Sequence, residues 1–308
     1  MIRIGVVGAG IIGASHKKAI LGNPDCILAA ACDLDIEKAK AMAEGTDASV
    51  YTDYRVMQEK EALDAVILNL PHFLHCEVSV YFLEKGVHVL CEKPMANTVE
   101  ECDRMIEAAK RSAAKLAIGH VQKYYTAAEE VKKIIESKRF GELVMIHETR
   151  TKDYLNNRPA WFLSKKTAGG GIAMNLGAHS LDRILFTTGL AVESVHGIAT
   201  NPVSDDDIET TAHFLLGLSG GVSATITLCG THVPQKHDTI YYFTNGIVKI
   251  EGKDLFVYEN GEFVNYGGEY NLIVRQLEEF VKFVRGEESA VCTPEYGREI
   301  IRVLKEVI

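Results

Sequence analysis

Three groups of residues in this 308-residue chain have the types and spacing to do chemistry. The first lies in IRIGVVGAGIIG, where Gly8, Gly10 and Gly13 form G-x-G-x-x-G. Gly8 permits a tight turn, Gly10 lets a pyrophosphate approach the backbone, and Gly13 lets a helix pack close against a strand. Ile11 and Ile12 then open a helix, whose free N–H groups and partial positive charge suit phosphate. Asp33 stands 20 residues after Gly13, where a carboxylate meets ribose hydroxyls. It is followed by Leu34 and not by a cation, so the pattern predicts NAD over NADP.

The second group is Glu92-Lys93-Pro94, after the strand-like run Val87 to Cys91. Ligands of doubly wound sheets bind outside the carboxyl ends of the strands, which is where Lys93 falls. Pro94 restricts Lys93 to extended geometry. A solvated turn lysine would have the same local sequence. The third group follows the turn Gly169-Gly170-Gly171: Asn175 and His179 are spaced i, i+4 and share one helix face, with Asp182 three residues further on. A histidine there can move a proton near neutral pH, and Asp182 could orient its ring. The same spacing also suits a core histidine satisfied by Asp182.

The elements that must position these groups follow from periodicity. The first 120 residues alternate apolar β-branched runs with amphipathic helical ones, which predicts a parallel, doubly wound sheet. Thr98 with Glu101 is a capping-box signature. After His120 come a helix near 127–137, a strand at 143–151, a long polar loop, and a helix from Met174 to Phe186. Strand-like runs follow at 192–200, 207–216, 221–229, 239–244, 247–251 and 254–258, with hairpin turns at Asn245-Gly246 and Asn260-Gly261. VSATITLC alternates Ser/Thr with apolar residues, the period of a two-faced strand. The expected fold class is thus α/β: a Rossmann domain over 1–121, then an α+β domain over 122–308 with a large, mainly antiparallel open-faced sheet. That open face suits packing on another subunit.

Composition narrows the function classes. Apolar residues are 47% and charged residues 24%, values of an ordinary globular chain. A net charge of −9 argues against nucleic acid as partner. No run of 18 apolar residues suggests a membrane span. The strand begins at Ile2, so no leader is expected and a cytoplasmic location is. Seven cysteines, an odd number with no C-x-x-C, read as reduced buried thiols. His72 and His75 lack further ligands at suitable spacing, so no metal is expected.

Taken together, the glycine motif, Pro71 with His75, Glu92-Lys93-Pro94 and the glycine turn before His179 resemble the glucose–fructose oxidoreductase/inositol dehydrogenase/MocA family over nearly the whole chain. The resemblance implies a Rossmann domain and an open-faced sheet domain with the site between them, and a cis Lys93–Pro94 peptide. It implies oxidation of a secondary alcohol of a sugar, cyclitol or sugar derivative by NAD, in a homodimer or homotetramer. Lys93 would hydrogen-bond the reacting hydroxyl and His179 would accept its proton. Asn175 stands where the family often has aspartate, and His72 where asparagine is common beside the nicotinamide ribose. Leu70, Pro71, His72, His75 and Glu92 would join the glycines and Asp33 around the cofactor. From the residues alone, His120 and Tyr124 could line the cleft or pack the domain junction, Trp161 could stack on a sugar ring or anchor its loop, and the basic cluster Lys152, Arg158, Lys165 and Lys166 could hold a carboxylate or phosphate of the substrate or be solvated. Two other activities suit the resemblance: an NAD-dependent glycoside hydrolase, and a non-catalytic NAD-binding regulator.

Overall fold

The structure is a computed structural model that describes residues 1–156, 158–269 and 271–308. The chain divides into two compact units, residues 1–120 with 273–298, and residues 121–272 with 299–308.

The first unit alternates β1 (Ile2–Val7), α1 (Ile11–Leu21), β2 (Cys26–Cys32), α2 (Ile36–Ala43), β3 (Ser49–Tyr51), α3 (Tyr54–Lys60), β4 (Ala65–Leu68), α4 (His72–Glu84), β5 (His88–Glu92), α5 (Val99–Arg111) and β6 (Leu116–Gly119). The six strands form one sheet in the order β3-β2-β1-β4-β5-β6, and every pairing is parallel. That is the doubly wound order with its switch point between β1 and β4, the strands that precede the glycine loop and the Leu70–Pro71 segment. The central strands β1 and β4 are apolar but for Arg3, as strands with helices on both faces require. Local signals set the helix starts. The side chains of Asp35, Asp53 and Thr98 accept the N–H of Glu37, Arg55 and Glu101. Glu101 in turn accepts the N–H of Asn97, one residue before the cap.

The sequence assigned everything after residue 121 to the second domain, and here the structure differs. Residues 273–298 belong to the first unit. They include most of a helix, α9 (Leu272–Arg285). Its apolar stripe, Leu277, Phe280 and Val281, enters the core formed by Ile2, Ile4, Ile20 and Leu28. Each such side chain contributes about 1.5–3 kcal/mol on burial, enough to draw the helix back to β1 and β2.

The second unit carries α6 (Thr126–Glu136), β7 (Leu143–Thr151), the short α7 (Lys165–Ala168) and α8 (Ala178–Thr188). Seven strands follow: β8 (Val192–Thr200), β9 (Thr211–Leu218), β10 (Val222–Cys229), β11 (Lys236–Phe243), β12 (Gly246–Glu251), β13 (Asp254–Glu259) and β14 (Glu262–Gly267). The last helix is α10 (Pro294–Lys305). The sheet order is β14-β13-β12-β11-β7-β10-β9-β8. Only β7 and β10 pair in parallel. β10 shows strict alternation of buried and half-buried residues, with Ser223, Thr225, Thr227 and Cys229 on the less buried face. Hydroxyls and histidines bond one another on that face: His147 lies 2.8 Å from Thr225 Oγ1 and 3.1 Å from Thr149 Oγ1. β14 is absent from the sequence reading. It is an edge strand with no buried residue.

Candidate functional site

The glycine loop has the geometry a pyrophosphate needs. Gly8 has φ +95°, and a Cβ there would lie 2.3 Å from the Asn69 carbonyl oxygen. A Cβ on Gly13 would lie 2.4 Å from the Gly8 carbonyl oxygen. Both positions exclude any side chain, so α1 starts hard against the loop. Gly10 differs, because a Cβ there would meet nothing within 4 Å. Open space therefore stands over the backbone at the N-terminus of α1, flanked by Ile11, 88% exposed. Asp33 is tied to the same loop: Oδ2 accepts the Ala9 N–H at 2.8 Å and Oδ1 accepts the Asp35 N–H at 3.0 Å. The loop, the helix N-terminus and this carboxylate fit a dinucleotide.

Around Lys93 the structure adds a residue the sequence reading missed. His16, fully buried on α1, has Nε2 3.0 Å from Glu92 Oε1. Glu92 Oε2 accepts the backbone N–H of Lys93 at 3.2 Å. Burial pushes the Glu92 carboxyl up, but its bond to His16 and the nearby Lys93 charge outweigh that and hold it below the ordinary carboxylate value. Gly119 leaves the room this carboxylate occupies, since a Cβ would lie 2.9 Å from Glu92 Cα. The Lys93–Pro94 peptide is cis, and Lys93 itself is half-buried.

Several expected ligand contacts take other roles. His75 is fully buried, with Nδ1 2.8 Å from the Pro94 carbonyl and Nε2 2.8 Å from the Leu70 carbonyl. Neither ring nitrogen is left for a cofactor, so His75 ties the loop after β4 to the loop after β5. Burial lowers its pKa, against the two carbonyls. His72 is 5% exposed, its ring 5.8 Å from that of His75. His120 is 1% exposed and sits edge-on to Tyr296 at 5.9 Å. Tyr124 is 4% exposed.

In the second unit, the helix carrying Asn175 and His179 begins with a π-helical turn, Ala173–Gly177, and runs directly into α8. Such turns recur at functional sites because they rotate side chains out of the α-helical register. Gly177 has ordinary helical angles. A Cβ there would lie 3.0 Å from Leu304 Cδ2 and 3.3 Å from Leu228 Cδ1, so its bareness serves close packing and does not break the helix. Glu209 holds the helix start. Its buried Oε1 accepts the N–H of Gly171 at 2.7 Å and of Ala173 at 3.0 Å. A Cβ on Gly171 would lie 2.1 Å from the Glu209 carbonyl oxygen, which explains the glycine. Asn175 is 9% exposed, and His179 is partly exposed. Asp182 Oδ2 accepts the Gln122 N–H at 2.8 Å, anchoring α8 to the 122–124 turn.

Beneath α8 lies a buried polar cluster. Arg150 donates to Glu148 at 2.6 Å, Arg183 donates to Gln122 at 2.9 Å, and Thr239 bonds the second Glu148 oxygen. The i, i+2 spacing of Glu148 and Arg150 in β7 was the available sequence signal. Tyr154, fully buried, stands within reach of the Asn175 side chain. Burial drives its phenol well up, while Arg158 and Asn175 pull the other way. The basic cluster separates: Lys165 and Lys166 are exposed, while Lys152 and Arg158 are half-buried. Trp161 stacks on Phe162 at 3.9 Å between ring centres. Among the described residues no group of three or more His, Cys, Asp or Glu could hold a metal ion, and no helix is long and apolar enough to cross a membrane.

Comparison with known proteins gives the same division. Residues 2–120 match the oxidoreductase family with an NAD-binding Rossmann fold, and residues 128–249 match the GFO/IDH/MocA C-terminal domain. Over 231 residues the chain is 30% identical to 1-carboxy-3-chloro-3,4-dihydroxycyclohexa-1,5-diene dehydrogenase of Comamonas testosteroni, covering 74% of this chain and 58% of that protein. Over 192 residues it is 29% identical to 2,7-anhydro-N-acetylneuraminate hydratase of Mediterraneibacter gnavus, covering 62% and 50%. The chain thus spans little more than half the length of these relatives. The WlbA dehydrogenase from Bordetella pertussis, solved with NADH and UDP-GlcNAcA, shares the fold: TM-score 0.86 at 24% identity, over 99% of this chain and 94% of that one. With its glycine loop, its parallel sheet and its second, mainly antiparallel sheet, the chain belongs to the GFO/IDH/MocA family of oxidoreductases, and its first unit is an NAD-binding Rossmann domain.

Proposed function

We propose that the chain is an NAD-dependent dehydrogenase acting on a secondary alcohol of a sugar, cyclitol or sugar derivative. The observation that carries this reading is the helix start held by Glu209, which presents a partly exposed His179 one turn from Asn175. His179 accepts the hydroxyl proton as a general base. Lys93 donates a hydrogen bond to the hydroxyl oxygen and stabilises the negative charge that develops on it. The Asn175 amide cannot relay a proton, but it can orient the substrate. Gly8, Gly10, Gly13 and the N–H groups of Ile11 and Ile12 hold the pyrophosphate, and Asp33 takes the ribose. Bound NAD supplies the hydride acceptor. A carboxylate at position 33 repels a 2′-phosphate, so NAD is the cofactor of choice. The chain assembles as a homodimer or homotetramer through the half-exposed face of the second sheet, where Ser, Thr and His side chains bond one another.

Purified protein offered sugars, cyclitols and their derivatives with NAD should form NADH, and should bind NAD more tightly than NADP. The hydratase among the relatives favours one further reading, a redox-neutral reaction on the same residues. Product formation without net NADH release would establish that reading and displace the dehydrogenase.

A further inference from the structure

Lys152 and Arg158 lie on the side of the second unit that carries Asn175. Along β7, Glu148 and Arg150 face the helix-covered side of the sheet. Lys152 keeps that parity just beyond the strand, where its N–H donates to the Cys229 carbonyl at 3.0 Å. Arg158 is fixed in place. Its guanidinium lies 4.7 Å from the Tyr154 ring centre and 5.0 Å from that of Phe162, and Nε donates to the Tyr154 carbonyl at 3.0 Å. The Nη2 nitrogen is buried and has no hydrogen-bond partner among the described residues. The two cations feel each other: burial first, and then Arg158, depress the pKa of Lys152. Neither forms an ion pair among the described residues, although ion pairs abound elsewhere on this chain.

A fixed guanidinium with an unmatched donor, beside a half-buried ammonium, is unfavourable in the protein alone and suits an incoming oxyanion. Tyr154, against whose ring Arg158 packs, stands within reach of the Asn175 side chain. We infer that Lys152 and Arg158 form a subsite for a carboxylate or phosphate group of the substrate, which is therefore an anionic sugar or cyclitol derivative. The inference rests on the dehydrogenase reading for the reaction but not for the binding. The Arg158 guanidinium supplies one charge to the anion and Lys152 the second. Lys165 and Lys166, exposed on and beside α7, take no part.

The test uses the NAD-loaded protein and matched probes: glucose, glucuronate and glucose 6-phosphate, with myo-inositol and its monophosphate. Binding is read from the fluorescence of Trp161, the only tryptophan, and turnover from NADH absorbance. At least one charged probe should bind about tenfold or more tightly than its neutral counterpart. Arg158→Met and Lys152→Met should each weaken it about tenfold. Arg158→Lys should recover part of the loss, and Lys166→Met should change it less than about twofold. Melting curves identify any variant that fails to fold, in which case the milder Lys152→Gln decides. The preferred probe then separates carboxylate from phosphate. No preference for any charged probe, or unchanged binding in both cation variants, overturns the subsite. NADH from neutral probes alone leaves the dehydrogenase reading standing without it. Anion binding with no NADH leaves the subsite standing and removes the dehydrogenase.

Discussion

In the proposed reaction Lys93 and His179 have different roles, and mutation separates them. Lys93→Met removes a positioned donor and a charge where negative charge develops, so kcat on the identified substrate should fall about 10²-fold or more. NAD affinity should change little. Full turnover in the variant would make Lys93 a structural residue. For His179, the base must be unprotonated, so oxidation should rise with pH. Asn175→Asp places a carboxylate one helical turn away and favours the protonated ring. The acidic limb of kcat/KM should then move to higher pH while activity persists. His179→Ala should abolish that limb with most of the rate. A downward shift in Asn175→Asp would point to another base. Glu92 belongs at this scale too. His16 keeps its carboxylate charged and aimed at the Lys93 backbone, a role that no reading of the triplet alone supplies.

At the scale of elements, the helix that carries Asn175 and His179 depends on one distant carboxylate. Glu209→Ala leaves the Gly171 and Ala173 N–H groups buried without their acceptor. The cost should be about 3 kcal/mol, because bonds to a charged group are each worth about 1.5–3. Thermal unfolding should show a drop of about 6–12 °C for a unit of this size. An unchanged melting temperature would mean that the turn is held by packing alone. The β7–β11 pair makes a second prediction. His237 faces Arg150 across the ladder. Burial, and then Arg150, Arg183 and Lys152, lower its pKa to about 3. The folded state thus holds it neutral, whereas the unfolded chain protonates it near 6.5. Its contribution is complete above about pH 6.5 and is lost as pH falls from there toward 3. His237→Gln should therefore lose less melting temperature than the wild type between pH 7 and 5, above the range in which ordinary carboxylates titrate. An equal loss in both proteins would exclude His237 as the group.

At the scale of the whole molecule, the half-exposed face of the eight-stranded sheet is the surface proposed for self-association. It carries Thr225, Thr227, His147 and Thr149. Sedimentation velocity should give a dimer or tetramer at micromolar concentration. Thr225→Lys with Thr227→Lys, which sets like charges in the middle of that face, should yield monomer with an unchanged far-ultraviolet spectrum. A wild-type monomer, or a double variant that stays assembled, would remove this face as the interface. The seven cysteines are free, and six of them are buried. Burial pushes the thiols of Cys32 and Cys102 up to about 12, so they should resist alkylation in the folded protein.

Local physics made much of this legible before any fold was seen. The glycine motif, Asp33, the capped helices and most strands follow from steric rules and from periods of two and 3.6, which act over a few residues. The ordered set of glycines, Glu92-Lys93-Pro94 and His179 carried the resemblance to the family, because the set is specific where no single member is. Pairings between distant segments were not legible. The apolar stripe of α9 is visible in sequence, but only the core around Ile2 and Ile4 decides which unit it joins. Glu209 has no local mark, yet it holds the helix start 36 residues before it. Among four basic residues in one polar stretch, sheet parity and aromatic stacking chose Lys152 and Arg158 and left Lys165 and Lys166 in solvent. Periodicity states which face of an element is apolar. Which partner covers that face, and which polar groups are buried together, is a long-range property that only the folded chain determines.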